Sequence, residues 1–158
     1  MSNALKITTP SDREIAMTRV FDAPRQLVFE AYTTPELLKR WLGVFGGWTL
    51  DVCEVDLRVG GAYRYEWNRS GKSMGLSGVF VDIVPNARLV TTEVFDDPWY
   101  DGKGQSTVTF VENAGKTTMT MTMEYDSKEV RDAVLKSPME HGVAASFDKL
   151  EELVVARV

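Results

Sequence analysis

Between Trp48 and Glu124 the chain is a succession of strand-like segments, each ended by a turn signal. The turns contain Gly-Gly, Ser-Gly, Pro-Asn, Asp-Gly and Asn-Ala-Gly sequences, all of which favour a change of chain direction. The predicted strands cover residues 48–59, 61–69, 74–84, 88–96, 105–112 and 117–124. Because the connections are short, successive strands are expected to pair antiparallel, so this region is predicted to form a meandering sheet.

A long helix is predicted after the sheet. Ser137-Pro138-Met139-Glu140 has the form of a capping box with proline at the first helical position, and the helix should continue to about Arg157, roughly 30 Å. Its apolar residues recur at spacings of three and four, at Met139, Val143, Phe147, Leu150 and Val154. A continuous apolar stripe of this length must lie along an equally long partner, and the sheet is the one candidate. A shorter helix, capped by Asp126, should end near Lys136.

One strand and two short helices are predicted before the sheet. Residues 13–21 alternate between apolar and polar, as a strand does. Asp22 should cap the first helix, which has Pro24 in its first turn, and Thr34-Pro35 should open the second. Residues 1–12 are polar and aperiodic, so we expect a flexible N-terminal segment followed by one domain over residues 13–158.

Two hairpin turns fix which side chains share a face of the sheet. The turn at residues 69–72 places Trp67 opposite Met74 and Tyr65 opposite Leu76, and opposed residues share a face. The buried face then collects Tyr63, Tyr65, Trp67, Met74, Leu76 and Phe80. The turn at residues 113–116 adds two further pairs, Phe110 with Met119 and Val108 with Met121. Alternation this regular indicates one buried and one wet face.

The composition of the buried face admits two interpretations. Tyrosine, tryptophan and methionine replace most of the Val, Ile and Leu of an ordinary core. Tyrosine and tryptophan have polar tips that need partners, and methionine adapts to variable shapes, so the face suits a cavity with an apolar guest. A simple core of the same residues is the alternative. A change of apolar phase near Cys53-Glu54 predicts a β-bulge, which would curve the sheet and leave a hollow under the helix.

Charge and cysteine usage exclude several functions. The 158-residue chain has 18 basic and 23 acidic residues, a net charge of −5, so a basic nucleic-acid footprint is absent from the sequence. No apolar run approaches the ~18 residues of a membrane span, and a cytoplasmic location is expected. Cys53 and His141 are the single cysteine and histidine. No disulfide, metal site or cofactor is therefore predicted.

Several short motifs together resemble a known family. They are Arg19-Val20-Phe21-Asp22-Ala23-Pro24, Val28-Phe29, Trp41-Leu42-Gly43, Asp56-Leu57-Arg58-Val59-Gly60-Gly61, Gly78-Val79-Phe80, Ile83-Val84-Pro85, Arg88-Leu89-Val90 and Ser137-Pro138-Met139. In this order they resemble the START-like (SRPBCC) superfamily, to which the birch pollen allergen belongs. Within it, they are most similar to the branch named after the activator of the heat-shock-protein-90 ATPase.

The resemblance implies an α+β helix-grip fold. In that fold a curved antiparallel sheet of about seven strands wraps around a long C-terminal helix, with two short helices after the first strand. Members of the superfamily bind lipids, sterols, polyketides and other apolar molecules, and a minority are cyclases or dehydratases. The eukaryotic chaperone activators have an additional N-terminal domain that this chain lacks room for, so a chaperone partner is not expected.

No residue can be assigned a catalytic role from the sequence. His141 lies about 160° from the apolar stripe of the C-terminal helix, so it should face solvent. Glu93 would face inward if Phe95 does, but the turn at Pro85-Asn86 leaves that register open. Arg64 and Glu66 should form a pair on the wet face. Residues 96–101, which include Trp99 and Tyr100, should form a loop at the cavity mouth.

The leading hypothesis is a non-catalytic or weakly catalytic carrier that binds a small hydrophobic or aromatic molecule between the sheet and the C-terminal helix. The residues predicted to bind it are Trp41, Tyr63, Tyr65, Trp67, Met74, Leu76, Phe80, Phe110, Met119, Met121, Met139, Val143 and Phe147. One alternative is a cyclase, dehydratase or hydrolase that uses the same cavity. Another is a chaperone-interacting module of the stress response, which would need an exposed apolar patch. An edge strand would also allow a homodimer.

Overall fold

The computed structural model describes residues 4–97 and 103–158, which form an α+β structure with one curved antiparallel sheet. Its eight strands are β1 (Lys6–Thr8), β2 (Glu14–Phe21), β3 (Thr49–Val55), β4 (Ala62–Arg69), β5 (Lys72–Val84), β6 (Arg88–Phe95), β7 (Gly104–Asn113) and β8 (Lys116–Glu124). The helices are α1 (Arg25–Thr33), α2 (Pro35–Leu38), α3 (Lys128–Lys136) and α4 (Met139–Val155). The strand order is β1-β2-β8-β7-β6-β5-β4-β3, so the meander from β3 to β8 is confirmed and β2 closes onto its last strand.

The first strand was missed by the sequence analysis, which expected a flexible segment over residues 1–12. Lys6, Ile7 and Thr8 pair with Thr18, Met17 and Ala16 of β2 and form one edge of the sheet. Ile7 packs against the cluster formed by Ile15, Met17, Met123, Tyr125 and Val134. Three residues are too few to show an alternating pattern, so only the tertiary contact identifies this strand. The sheet has eight strands rather than about seven.

Both predicted hairpin registers are confirmed. Trp67 lies opposite Met74 and Tyr65 opposite Leu76, as the turn at residues 69–72 requires. In the β7–β8 hairpin, Phe110 lies opposite Met119 and Val108 opposite Met121. The buried face of the sheet is therefore the aromatic and methionine-rich one.

The predicted bulge exists, but it lies before Cys53-Glu54. The register of β3 on β4 shifts between Leu50 and Val52, so the extra residue is Asp51. Cys53 and Val55 then lie opposite Tyr65 and Tyr63 on the inner face. The register of β5 on β6 shifts in the same way between Phe80 and Asp82. Bulges increase local twist, and two of them help to bend the sheet around α4.

The helix α4 packs against the concave face, as its apolar stripe predicts. Phe147, Leu150 and Val154 are buried in the main core, whereas Val143 packs against that core while partly accessible. Arg19 of β2 links the sheet to α4, because its Nη1 donates a hydrogen bond to Asp148 Oδ1 at 2.7 Å. The Arg19 side chain is 8 % exposed and also lies 3.8 Å from Glu151.

The predicted helix caps differ from those observed. Ser137 does not cap α4. Its Oγ instead donates a hydrogen bond to the Val134 carbonyl oxygen at 2.5 Å and so caps the C-terminal end of α3. At the start of α3 the cap is Ser127, whose Oγ accepts from the Val130 N–H at 3.1 Å. Asp126 instead accepts from the Lys103 N–H. The first helix begins after Pro24 with no side-chain cap, so Asp22 does not act as one.

Candidate functional site

A cavity of about 410 Å³ lies between the concave face of the sheet and the first half of α4. Strands β4 to β8 form its floor, and the segment between α2 and β3 forms one side. The side chains and glycines around it are Tyr32, Trp41, Leu42, Gly43, Phe45, Trp48, Tyr63, Tyr65, Trp67, Met74, Leu76, Phe80, Leu89, Thr91, Glu93, Phe95, Ser106, Val108, Met121, Met139, Gly142, Val143, Ser146 and Phe147. The volume lies within the range of small-molecule sites in proteins.

The hollow persists because the facing part of α4 carries small residues. Gly142 leaves no side chain in the gap, and a Cβ there would come within 3.1 Å of Phe45 Cζ. Ser146 Oγ accepts a hydrogen bond from the Gly43 N–H at 3.0 Å, which ties the helix to the side wall. Gly43 has φ +68, a conformation that side chains disfavour, and a Cβ on it would collide with the Trp67 indole. The helix is thus held at a fixed distance from the sheet without filling the space between them.

Eleven of the thirteen residues predicted to bind a ligand line this cavity. They are Trp41, Tyr63, Tyr65, Trp67, Met74, Leu76, Phe80, Met121, Met139, Val143 and Phe147. Phe110 and Met119 point to the same face but lie further along the sheet, where α1 covers it. Phe110 packs edge-on against Phe29 with ring centroids 5.5 Å apart, and Met119 is fully buried. These two residues belong to the core rather than to the cavity wall.

The aromatic rings of the floor form a continuous row. Tyr63 and Tyr65 have centroids 4.9 Å apart, and Tyr65 and Trp67 are 5.8 Å apart in an edge-to-face arrangement. Phe80 extends the row from Tyr63 at 5.8 Å. The Trp67 indole N–H donates to the Leu42 carbonyl at 2.9 Å, so this residue presents a hydrocarbon surface to the cavity. A row of tilted and edge-to-face rings suits an apolar or aromatic guest.

Glu93 is the functional candidate that sequence reasoning left unresolved, and it lines the cavity. It pairs with Gly104 of β7, and the pairs Leu76–Phe95 and Phe80–Thr91 place Gly78 of β5 on its other side. Both neighbours lack side chains, so its carboxyl group is not crowded on the floor. Burial raises the pKa of Glu93 from 4.5 to about 7. No hydrogen bond or ion pair joins this carboxyl group to any residue in the described ranges.

Tyrosine hydroxyls lie around this carboxyl group. The pKa of Tyr32 is raised, first by burial and then by the charge of Glu93, and its hydroxyl donates to Met121 Sδ at 3.6 Å. Burial likewise raises the pKa of Tyr65 well above its usual value, with smaller contributions from neighbouring groups that include Glu93. Tyr63 donates to the Thr92 carbonyl at 2.5 Å. The site therefore combines an apolar floor with one acid and three phenols.

We predict that Gly78→Ala strongly destabilises the protein. A Cβ at this position would lie 1.9 Å from the Thr92 carbonyl oxygen and 2.7 Å from Tyr63 Cε2, so the backbone of β6 would have to move. A clash with backbone in a packed sheet should cost about 3 kcal/mol of unfolding free energy. Urea denaturation measures this cost. Ser77→Ala, one residue earlier on the same strand, is the control and should change stability by less than about 0.5 kcal/mol; equal stability of the two variants would contradict the assigned geometry.

The remaining candidates lie away from the cavity. His141 is exposed, as predicted. Arg64 and Glu66 form the expected pair at 3.1 Å, and Arg64 also binds Asp96 at 2.5 Å. Hydrogen bonding to Arg64 lowers the pKa of Asp96. Residues 98–101 of the predicted mouth loop, which include Trp99, Tyr100 and Asp101, lie outside the described residues.

Within residues 4–97 and 103–158, no group of three or more His, Cys, Asp or Glu side chains is placed to hold a metal ion. In the same ranges no helix is long and apolar enough to cross a membrane.

The family described as Activator of Hsp90 ATPase homolog 1-like protein matches residues 22–155. The chain belongs to this family. Its range covers the floor, the side wall and α4, so the cavity lies within the family domain. A comparison with curated proteins finds no significant match.

Solved structures of bacterial proteins share the fold. A crystal structure from Rhodobacter sphaeroides is 28% identical, with a TM-score of 0.91 and coverage of 96% of this chain and 98% of that one. One from Chromobacterium violaceum is also 28% identical, with a TM-score of 0.77 and coverage of 91% and 98%. A solution structure of a protein from Aeromonas hydrophila, described as like the same activator, is 20% identical, with a TM-score of 0.71 and coverage of 91% and 93%. The helix-grip architecture inferred from the sequence is thereby confirmed.

Proposed function

We propose that the protein binds a small apolar or aromatic molecule in the cavity between the sheet and α4. The observation that carries the proposal is a hollow of about 410 Å³ lined by aromatic rings and methionines inside a fold that generally serves for ligand binding. At about 25 cal/mol per Å² of apolar surface, burial of a two-ring guest supplies several kcal/mol. The aromatic floor orients the guest, and the Tyr65 hydroxyl, which has no hydrogen-bond partner among the described residues, offers it a hydrogen bond.

A titration with the neutral fluorophore N-phenylnaphthylamine tests the proposal. Its emission should rise on entering the cavity and saturate at one probe per chain. Trp41, Trp48 and Trp67 line the cavity, so their emission should fall by energy transfer to the bound probe. A signal that does not saturate, or that leaves tryptophan emission unchanged, would contradict binding at this site.

Glu93 favours a second candidate function, acid–base catalysis on the bound molecule. An effective general acid or base has a pKa near the working pH, and burial gives Glu93 a pKa of about 7. The charge of Glu93 contributes to the raised pKa of the Tyr32 and Tyr65 phenols. Candidate ligands incubated with the protein and examined by mass spectrometry would show a change of mass that Glu93→Gln abolishes. Unchanged ligands would leave simple binding as the function.

The chaperone-contact alternative depends on the outside of the sheet. Val79, Val81 and Val94 are 40, 46 and 39% exposed on β5 and β6. The same strands carry the exposed Arg88–Asp82 ion pair. This outer face combines exposed valines with charged side chains, whereas the cavity is an enclosed and largely apolar site. We therefore base the proposed function on the cavity.

A further inference from the structure

We propose, on the basis of the ligand-binding function above, that the preferred guest is an organic cation: an apolar ring system bearing one protonated amine that binds the Glu93 carboxylate. This assignment narrows the guest from any apolar molecule to a chemical class. It follows from the charges and hydrogen-bond donors around the cavity.

Over the part of the chain that the structure describes, the cavity wall has one acidic side chain and no basic one. Glu93 is the one described lining residue with a carboxylate, ammonium, guanidinium or imidazole side chain. An isolated carboxylate in an apolar environment is costly unless it is paired with a cation or with hydrogen-bond donors. An ammonium group on the guest supplies both, because it carries a positive charge and up to three N–H donors.

Four of the N–H and O–H donors in the wall are committed to other acceptors. The indole N–H of Trp41 donates to the Ala31 carbonyl at 3.0 Å, and that of Trp67 to Leu42. Tyr63 donates to Thr92, and Tyr32 donates to Met121. None of these four donors is directed at the Glu93 carboxyl oxygens, which can therefore accept an N–H of the guest.

The geometry also provides aromatic faces for a cation. Tyr32 of α1 and Tyr65 of β4 line the same cavity as Glu93, and the charge of Glu93 contributes to the raised pKa of both. Phe95 follows on the same face of β6. Aromatic faces attract organic cations by about 0.5 to 2 kcal/mol, and most strongly where water is excluded. An anionic guest would meet both the carboxylate and the negative ring faces, and should be rejected.

The titratable groups that face Glu93 determine the pH dependence. From α1 it meets Tyr32, from β4 Tyr63 and Tyr65, and across β7 it meets Gly104. Cys53 of β3 lies opposite Tyr65 in the sheet, and burial raises the pKa of the Cys53 thiol to about 11. The α4 residues of the wall are Met139, Gly142, Val143, Ser146 and Phe147, none of which titrates. Of the described residues that line the cavity, Glu93 is the one that changes charge near neutrality, so cation binding should strengthen as the pH rises through about 7.

Three matched probes test this inference by isothermal titration calorimetry: naphthylethylamine, naphthylethanol and naphthylacetate. At pH 8 the amine should bind about tenfold or more tightly than the alcohol, and naphthylacetate should bind most weakly. At pH 5.5 the advantage of the amine over the alcohol should disappear. In Glu93→Gln the amine should bind no more tightly than the alcohol at either pH value. Glu152→Gln, at an exposed position of α4, is the control and should behave as the wild type.

The outcomes separate this inference from the proposed function. If the alcohol binds and the amine has no advantage, or if naphthylacetate binds best, the cation inference is overturned while ligand binding stands. If an amine advantage persists in Glu93→Gln, the assignment of Glu93 is overturned. If none of the three probes binds, the proposed function itself fails, and this inference fails with it.

Discussion

Val143→Trp is expected to weaken binding of N-phenylnaphthylamine by about thirtyfold without unfolding the protein. Val143 lies on the first half of α4 and faces the cavity, so an indole at this position fills space that the guest would occupy. Loss of about 80 Å² of apolar contact corresponds to about 2 kcal/mol, which is roughly a thirtyfold change in Kd. Fluorescence titration gives the change in Kd, and thermal denaturation shows whether the variant is folded.

Val155→Trp is the matched control for this experiment. It makes the same substitution on the same helix, but Val155 is 45% exposed and lies at the far end of α4. Its Kd should equal that of the wild type. If both variants bind the probe as tightly as the wild type, the guest does not occupy the space under α4. If both lose binding equally, the effect comes from the helix as a whole rather than from the cavity.

Glu93→Gln is expected to stabilise the protein at pH 8 by about 2 kcal/mol and to have little effect at pH 4. The pKa of Glu93 is raised in the folded state, from 4.5 to about 7, so folding favours the protonated form. The contribution of Glu93 to the unfolding free energy is fully present below pH 4.5 and is lost as the pH rises through about 7. The full shift corresponds to about 3 kcal/mol, and access of solvent to the cavity side reduces it to about 2. Glutamine has no charge, so the variant escapes this loss.

Urea denaturation between pH 4 and pH 8 measures the effect. The difference in unfolding free energy between Glu93→Gln and the wild type should grow over this range. Glu152→Gln removes a carboxyl group from an exposed position of α4, and its difference from the wild type should stay nearly constant. A difference in unfolding free energy that does not change with pH would contradict this account. It would mean that solvent or a partner group stabilises the charged Glu93 carboxylate in the folded protein.

The sheet and its faces could be predicted because their determinants are local. The turn at residues 69–72 fixes the pairing of Trp67 with Met74, and a period of two then assigns every neighbouring side chain to a face. The apolar stripe of α4 identified its packing face in the same way. These patterns were sufficient to identify eleven of the residues that line the cavity.

Glu93 could not be placed because a bulge intervenes between it and the known face. Counting alternate residues from the buried Phe80 through the turn at Pro85-Asn86 would put Glu93 on the outside. The extra residue at Val81 reverses this assignment, so that Ile83 pairs with Leu89 on the inner face and Glu93 follows on it. A single inserted residue in a strand leaves only a weak signal in the sequence.

The extent of the cavity along the sheet was also beyond local patterns. Phe110 and Met119 lie on the correct face, but α1 covers that end of the sheet and Phe29 packs onto Phe110. Alternation indicates which face is buried, whereas the element that covers each part is decided by tertiary packing. The error in the cap of α4 has a similar origin, because Ser137 can serve the end of one helix or the start of the next.

A crystal structure of the protein with naphthylethanol tests the central claim most directly. The account predicts density for the two rings between the floor at Tyr65 and Trp67 and the helix at Val143, with the backbone of the sheet unmoved. Density for the guest on the outer face of the sheet, or wall side chains that fill the cavity and leave no room for a guest, would contradict it.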